Sequence, residues 1–589
     1  LDIDTTEGRL ADVVSTGADL AIVALPPEKI ATALELAGRI NCKAALVIAN
    51  NISAEQAQQL HSVARAHNMW MLGPNGRGFQ RPHLGLNASI VGPLTGRGTL
   101  ALVSQSGALT SSIIDWAQPN KVGFSTVISL GPHSAVGLAQ ALDFLASDPH
   151  THSIVVYLEG IPNARQFMSA LRAAANSKPV VVLKAGRNKG GNQAAITHSG
   201  ALVGRDAVFD AAIRRGGAVR IRSFSELFSA VQCLAARYQP VGNKLAVITN
   251  GGGPGVLAAD RGEDLGLELG RLGQDSIKKL QSTLLPHASL TDLIDISENG
   301  MPEHFASALS AAAHDPGIDG VLVMLSPKPW IDMTAVAQAV ATTRKECHKP
   351  LIACVMGDTS VQQARTLLAE ANIPTFRTPD AAVSAFGNIA AYYRNQQSLQ
   401  QTPPPLTHLA APDVEGARLL IEGVLAQRRH VLTEMESKAL LSAFHIPVTQ
   451  TILARTPSEA VMLASQLGYP VALKIDSPDI THKSDVDGVA LNVMNGVSVR
   501  DIFERMMENV TRKIPGARID GISVQRMARQ TRGRELYIGM VTDEPFGPVI
   551  AFGAGGNTVE LYSHRSMELP PLNQFLARQM IQQSAVAHT

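Results

Sequence analysis

The sequence predicts an α/β fold whose texture changes near its end. Three observations predict it. Strand-like and helix-like runs alternate early in the chain, the rhythm of parallel βαβ units. The middle of the chain repeats that rhythm as two matching copies. Beyond a proline-rich bridge, short β-rich segments take over, as in an α+β domain.

Ala18-Asp-Leu-Ala-Ile-Val-Ala-Leu-Pro26 reads as a buried strand, followed by a helical pattern over 27–39 and a second strand over 44–48. After Gly73-Pro-Asn75 the rhythm restarts at Thr99. Thr99-Leu-Ala-Leu-Val-Ser-Gln-Ser-Gly107 opens one unit, and Lys244-Leu-Ala-Val-Ile-Thr-Asn-Gly-Gly252 opens its copy. Ile154-Val-Val-Tyr-Leu158 then matches Val321-Leu-Val-Met-Leu325. Lys178-Pro-Val-Val-Val-Leu183 matches Lys349-Pro-Leu-Ile-Ala-Cys354, and the closing stretch 219–238 matches 373–393. Each copy is expected to be an open parallel sheet of flavodoxin type. The polar stretch 395–412, with Pro403-Pro-Pro405, reads as a linker. Beyond it, Thr433 and Glu436 have the spacing of a capping box, and β-rich runs cover 471–475, 488–493, 521–526, 535–541 and 549–552.

The 589 residues suffice for about three to five domains. A formal charge of +1 gives no general affinity for polyanions, so no nucleic-acid partner is expected. Cys42, Cys233, Cys347 and Cys354 have neither metal spacing nor disulfide density, which fits a reducing cytoplasm. No apolar run is long enough to span a bilayer, and no membrane partner is expected. The chain starts at Leu1 and stops at Thr589 without a closing element, so both ends read as cut.

Ser104, Gln105, Ser106 and Gly107 lie between a buried strand and a helix. Asn250, Gly251, Gly252 and Gly253 hold the same place in the second copy. At such a turn the helix dipole and free backbone N–H groups suit an anion, although a tight turn without a ligand has the same pattern. Glu159 ends a strand at the sheet edge that binds ligands, where its carboxylate can orient an imidazole or simply be solvated. His198 sits among small residues in Ala195-Ile-Thr-His-Ser-Gly-Ala-Leu-Val-Gly204. It is either an ordinary loop residue or a nucleophile that takes a phosphoryl group. Lys474 lies on a strand, where it can neutralise phosphates. Gly555 and Gly556 belong to a flexible loop, and Glu535 and Glu560 are strand carboxylates able to hold Mg²⁺ or to be plain surface groups. His482, in a polar loop, is ambiguous alone.

Taken in order, these motifs resemble the ADP-forming (NDP-forming) acyl-CoA synthetases, relatives of succinyl-CoA synthetase. Gly73-Pro-Asn75, Ser104-Gln-Ser-Gly107, Tyr157-Leu-Glu-Gly160, Thr197-His-Ser-Gly-Ala-Leu202, Asn250-Gly-Gly-Gly253, His482-Lys-Ser-Asp485 and the stretch from Phe546-Gly-Pro548 to Gly556 carry the resemblance. It implies a CoA-binding Rossmann-like domain over 1–95 lacking its N-terminus, and CoA-ligase flavodoxin-like domains over 96–240 and 241–394. A linker over 395–412 and an ATP-grasp domain over 413–589, lacking its C-terminus, would follow. The implied reaction is acyl-CoA + ADP + phosphate ⇌ acid + CoA + ATP. His198 would carry the phosphoryl group, supported by Glu159, and His482 would act as a second relay. CoA or acyl-CoA, ATP or ADP, and Mg²⁺ held by Glu560 are the implied cofactors. A short-chain carboxylic acid and phosphate are the implied substrates, with a homo-oligomer expected.

Several positions depart from the family pattern. Gly76 replaces the usual cysteine, Gly131-Pro-His133 replaces Gly-Asn, and Asp292-Leu-Ile-Asp295 replaces Asn-Pro-x-Asp. Asp487 replaces the first of two glycines, and His564 stands where aspartate is usual. These departures, with Leu569-Pro-Pro-Leu-Asn-Gln-Phe-Leu-Ala577, also resemble the synthetase-like part of Pat-type protein lysine acetyltransferases. In that alternative the chain is an acyl-CoA-sensing module for a fused acetyltransferase domain that is absent here. A purely scaffolding oligomer is the third reading.

Overall fold

The early βαβ pattern forms a parallel sheet of β1 (Leu20–Val23), β2 (Ala44–Val47) and β3 (Trp70–Leu72), in that order. This is a computed structural model that describes residues 18–188, 190–191, 205–235, 242–401, 410–527, 533–556 and 565–588. Helices Pro27–Arg39 and Ala54–Ala66 connect the strands, the second opened by a capping box between Ser53 and Gln56. Right-handed crossovers in the order 1-2-3 place both helices on one face. Val23 and Val47 are therefore buried with Ile30 and Leu34, whereas Ile22 is 53% exposed. The first strand is thus buried on one face only, not on both as its apolar run predicts.

The next sheet has seven strands: β4 (Gly78–Arg81), β5 (Leu86–Ser89), β6 (Arg97–Ser104), β7 (Phe124–Ser129), β8 (Ser153–Leu158), β9 (Val180–Lys184) and β10 (Val219–Ile221). The antiparallel pair β4–β5 extends one edge, and β6 to β10 are parallel in the order β7-β6-β8-β9-β10. The third sheet contains β11 (Lys244–Thr249), β12 (Glu268–Leu269), β13 (Ile294–Asp295), β14 (Gly320–Leu325), β15 (Leu351–Val355) and β16 (Thr375–Phe376). Its main path is β12-β11-β14-β15-β16, again parallel. Both copies therefore have the 2-1-3-4-5 order of a flavodoxin-type sheet, whose ligand crevice lies where the order reverses, between strands 1 and 3. These are β6 and β8 in the first copy and β11 and β14 in the second.

The closing helices Phe224–Ala235 and Pro379–Gln400 join the two copies. Cys233 of the first helix is buried in the core of the second copy. Ala391 and Tyr392 of the second helix pack on the core of the first. That helix runs on to Gln400, which corrects the linker expected from residue 395. Asn395 is buried and its Nδ2 donates to Ala218 O at 2.7 Å, while Gln396 Nε2 donates to Ala175 O and Gly217 O. Amide side chains that read as linker polarity instead satisfy carbonyls at the ends of the first copy's elements.

One compact unit comprises Leu1–Thr402 with Leu536–Thr589, and the other Pro403–Glu535. The second holds an antiparallel sheet in the order β17 (Thr451–Ala454), β20 (Gly521–Arg526), β18 (Val471–Asp476), β19 (Val489–Val493), covered by helices Pro457–Leu467 and Gly496–Lys513. The segment returning to the first unit forms antiparallel β21 (Leu536–Asp543), β22 (Gly547–Ala554) and β23 (Ser566–Glu568). Among the described residues no helix is long and apolar enough to cross a membrane.

Candidate active site

The two switch points are built alike, down to the side chain. Ser104, at the end of β6, accepts the Ser106 N–H at 3.1 Å and donates to Ser106 O. Thr249, at the end of β11, does the same with Gly251, accepting at 3.0 Å. The next residue in each copy straps strand 1 to strand 3. Gln105 Oε1 accepts the N–H groups of Glu159 (2.6 Å) and Gly160 (3.1 Å), and its Nε2 donates to Gly160 O. Asn250 Oδ1 accepts Ser326 N–H at 2.8 Å, and its Nδ2 donates to Ser326 O. The side chains of Ser104, Gln105 and Asn250 are thus spent on shaping the turns.

What remains for an anion is the backbone. Helix Gly107–Ala117 begins after its N-cap Ser106, and helix Gly252–Asp264 after Gly251. First-turn N–H groups have no intrahelical acceptor, so each turn presents donors at a positive dipole end. The surroundings of the two turns differ in charge. A Cβ on Gly107 would overlap Arg77, so glycine there lets that side chain lie across the turn. Beside Gly252 lies a carboxylate: Asp295 Oδ2 would be 3.5 Å from a Cβ at that glycine. The first turn thus has a cation beside it and the second an anion, which makes the first the better anion site. Sequence reasoning singled out no role for Arg77, and met Asp295 only as the last residue of Asp292-Leu-Ile-Asp295, because neither lies within the turns themselves.

Glu159 is buried at the C-terminal end of β8, where Gln105 fixes its backbone. The Tyr157 phenol lies close to its carboxylate; burial first, then the Glu159 charge, push that phenol up to about 12. Glu159 is thus a held acceptor and not a solvated helix cap. His198 lies outside the described residues, as do Glu560 and His564.

Both flanks of the stretch that holds His198 are anchored. Before it, Lys184 ends β9 in a buried setting, 3.9 Å from Asp206 and 5.1 Å from the Phe209 ring. Burial lowers this ammonium to about 8, against the pull of Asp206 and Asp543. After it, the Arg205 N–H donates to Asp543 Oδ2 at 2.9 Å. Asp543 is buried, its Oδ1 has no partner among the described residues, and burial raises its pKa. The end of β21 therefore holds the start of helix Asp206–Arg215 in place, a contact between residues 338 apart that no sequence spacing announces.

The unit Pro403–Glu535 brings its own charged group together. The capping box at Thr433 and Glu436 forms as the sequence predicts, and it places Glu434 in the first turn of helix Glu434–Ala443. Three ammonium groups meet the Glu434 carboxylate: Lys438 at 3.0 Å, Lys474 at 2.9 Å and Lys483 at 3.0 Å. Burial raises its pKa, but the hydrogen bonds from Lys474, Lys483 and Lys438 outweigh this and hold it at about 2. Lys483 follows His482, which is exposed and opens the short turn Lys483–Val486. That turn ends at Asp487, whose φ of 56° is left-handed and whose carboxylate accepts from Lys513 Nζ at 2.6 Å. Aspartate tolerates the conformation that glycine usually supplies, and here it gains an ion pair. Glu535 is exposed just before β21 and not within a strand. Gly555 and Gly556 follow the end of β22.

The folded pKa of Glu434, about 2 against an ordinary 4.5, sets a pH window. Its stabilising contribution is complete above pH 4.5 and is lost as the pH falls through the folded value. Between pH 5 and pH 3 the loss is about 2 kcal/mol. Urea unfolding of this unit's signal should show that loss, and a Glu434→Gln chain should lack it.

No set of three or more His, Cys, Asp or Glu side chains that could hold a metal occurs among the described residues. Asp543 and Glu568, the buried carboxylates after β20, face Arg205 and Arg214 instead. No ready-made metal cluster therefore stands among the described residues, and no step below runs through Mg²⁺.

Three family descriptions match the chain in order: a succinyl-CoA ligase like flavodoxin domain over residues 97–234, a ligase-CoA domain over 245–401 and an ATP-grasp domain over 423–589. Acetate–CoA ligase [ADP-forming] I of Archaeoglobus fulgidus is 34% identical over 571 residues, covering 96% of this chain and 81% of that protein. The 4-hydroxybutyrate–CoA ligase [ADP-forming] of Nitrosopumilus maritimus is 29% identical with the same coverage. Among solved structures, the dinucleotide-forming acetyl-coenzyme A synthetase 1 of Candidatus Korarchaeum cryptofilum, in complex with phosphate and ADP, has a TM-score of 0.62 at 29% identity. That match covers 67% of this chain and 85% of the other. These relatives are ligases, which favours the ligase reading over the acyl-CoA-sensing alternative.

Proposed function

Because this chain belongs to the family of ADP-forming acyl-CoA ligases, we propose that it runs acyl-CoA + ADP + phosphate ⇌ acid + CoA + ATP through a phosphohistidine at His198. The observation that carries the route is the first switch point. There the Gly107 helix end and Arg77 form a positive cradle, and Gln105 holds Glu159 at its rim.

A phosphate oxygen attacks the thioester carbonyl. The C–S bond breaks, CoA leaves as its thiol, and an acyl phosphate forms. A His198 imidazole nitrogen then attacks phosphorus, and the P–O bond to the acyl group breaks with departure of the carboxylate. Glu159 accepts the other ring N–H, which fixes the tautomer and makes the attacking nitrogen more basic. The turns at Ser106 and Gly252 stabilise the phosphorylated imidazole through backbone N–H groups, the first with the help of Arg77. An oxygen of the ADP β-phosphate finally attacks phosphorus, the P–N bond breaks, and ATP leaves. Lys474 neutralises nucleotide phosphates, with Glu535 and the His482 segment of the same unit as further nucleotide-binding candidates.

Acetate or another short acid is the substrate to test first, since the Archaeoglobus relative is an acetate–CoA ligase. Mg²⁺ at Glu560, a homo-oligomeric assembly and a cytoplasmic location belong to the same proposal. Purified protein given acetyl-CoA, ADP, phosphate and Mg²⁺ should release free thiol and form ATP over many turnovers; without phosphate it should do neither, and without ADP it should form no ATP and release no more thiol than one loading of the carrier. Continuous multiple-turnover thiol release without ADP, or no ATP with any short-chain acyl-CoA, would overturn the reading. CoA itself should raise the thermal midpoint, because it binds the folded state.

A further inference from the structure

On that reading, we propose that Glu434 is a positioning residue for the nucleotide step: it holds Lys474 and Lys483 side by side as one phosphate-binding pair and so fixes the segment that carries His482. Its two carboxylate oxygens divide the work. Oε1 accepts from Lys474 Nζ at 2.9 Å, and Oε2 accepts from Lys483 Nζ at 3.0 Å. Lys438 also reaches Thr449, Thr451 and Gln525, which ties the cluster to β17 and β20. Lys474 and Lys483 have no side-chain hydrogen-bond or ion-pair partner other than Glu434 among the described residues, although the Lys483 charge also acts on Asp476. An ammonium has three donors, so each of these two lysines keeps donors for a ligand.

Charge points the same way. Three cations surround one carboxylate, and the other acids nearby are committed elsewhere: Glu436 to Arg429 and Asp520 to Arg518. Asp476, at the end of β18, is buried with Oδ1 unpartnered among the described residues, and burial raises its pKa. The cluster therefore keeps an excess of positive charge that a polyphosphate would balance. Two ammonium groups repel each other when nothing lies between them. Glu434 removes that penalty before a ligand arrives, and its place in a helix's first turn favours its own charge. Because Lys483 directly follows His482, the contact that presets the phosphate pair also sets where that histidine's backbone lies.

The reaction divides into two measurable halves. Acyl-CoA and labelled phosphate load the protein without nucleotide. ADP then discharges it: the P–N bond breaks, its electron pair returns to the imidazole, and a new P–O bond forms on the β-phosphate. Glu434→Gln should load at the wild-type rate, yet need roughly tenfold more ADP for half-maximal discharge, about the value of one charge-assisted contact. Glu434→Asp, which keeps the charge, should recover part of the loss, whereas a merely structural lesion would impair loading as well. If Glu434→Gln fails to fold by circular dichroism, Lys483→Gln takes its place and should give the same selective defect. Wild-type ADP dependence in the folded variant would overturn the inference and leave the phosphohistidine route standing. A wild-type protein that never loads would instead bring down the route itself.

Discussion

A His198→Ala chain is expected to take up no acid-labile, base-stable phosphate and to lose acyl-CoA-dependent ATP formation by on the order of 10⁴-fold or more. The loss is large because the proposed route needs a covalent stop between acyl phosphate and nucleotide, and an imidazole nitrogen is the group that makes it. Removing the nucleophile removes every later step, which a lost binding contact does not do. Glu159→Gln tests the same chemistry from the described side of the site. Glutamine keeps the shape held between Gln105 and Tyr157 but no longer carries the charge that favours an imidazolium-like transition state. Loading should slow about 10- to 100-fold while discharge by ADP remains close to normal. Normal labelling of His198→Ala, read by mass spectrometry of the phosphopeptide, would place the phosphoryl group on another residue.

The second large effect concerns stability. Gly131→Val should destabilise the first unit by roughly 3 kcal/mol, at the upper end of overpacking costs. A Cβ at Gly131 would lie 2.1 Å from the Asn75 carbonyl carbon and 2.4 Å from Gly76 N, both backbone atoms that cannot rotate away. Asn75 is itself pinned, since its side chain accepts from Ile52 N and donates to Ile52 O and Pro132 O. The Gly-Pro-Asn turn and the Gly-Pro-His turn are thus pressed together, and neither can give way alone. Gly76 obeys the same constraint: a Cβ there would sit 2.7 Å from Ser129 O, so glycine in place of the family's usual cysteine fits this contact. Gly96→Ala is the matched control, because no atom lies within 4 Å of its Cβ position. Its effect should stay within about 0.5 kcal/mol. Equal thermal midpoints for Gly131→Val and Gly96→Ala would show that the two turns do not meet.

Much of the fold was legible because its signals are local. The runs 99–107 and 244–252 match because each must form a buried first strand and turn into a helix, and the duplication is why both sheets share one strand order. The capping box at Thr433 and Glu436 was legible for the same reason, since both partners lie within one turn. Residues 395–400 were misread because polarity predicts solvent only when no carbonyl waits nearby, and here the carbonyls of Ala175, Gly217 and Ala218 do.

By itself the sequence determined the repeated α/β modules and the two helix-opening turns, written in short-range spacing, while the carrier histidine and its supporting glutamate were implied by the family resemblance. Only the tertiary structure decided which polar groups are spent and which remain open for chemistry. It commits Gln105 and Asn250 to strapping strand 1 to strand 3, sets Arg77 beside one turn and Asp295 beside the other, and gathers Lys438, Lys474 and Lys483 on Glu434. The physical reason is that hydrogen bonds and ion pairs act over a few ångströms of space, while most of the residues that make them here are separated by tens of positions or more in the chain.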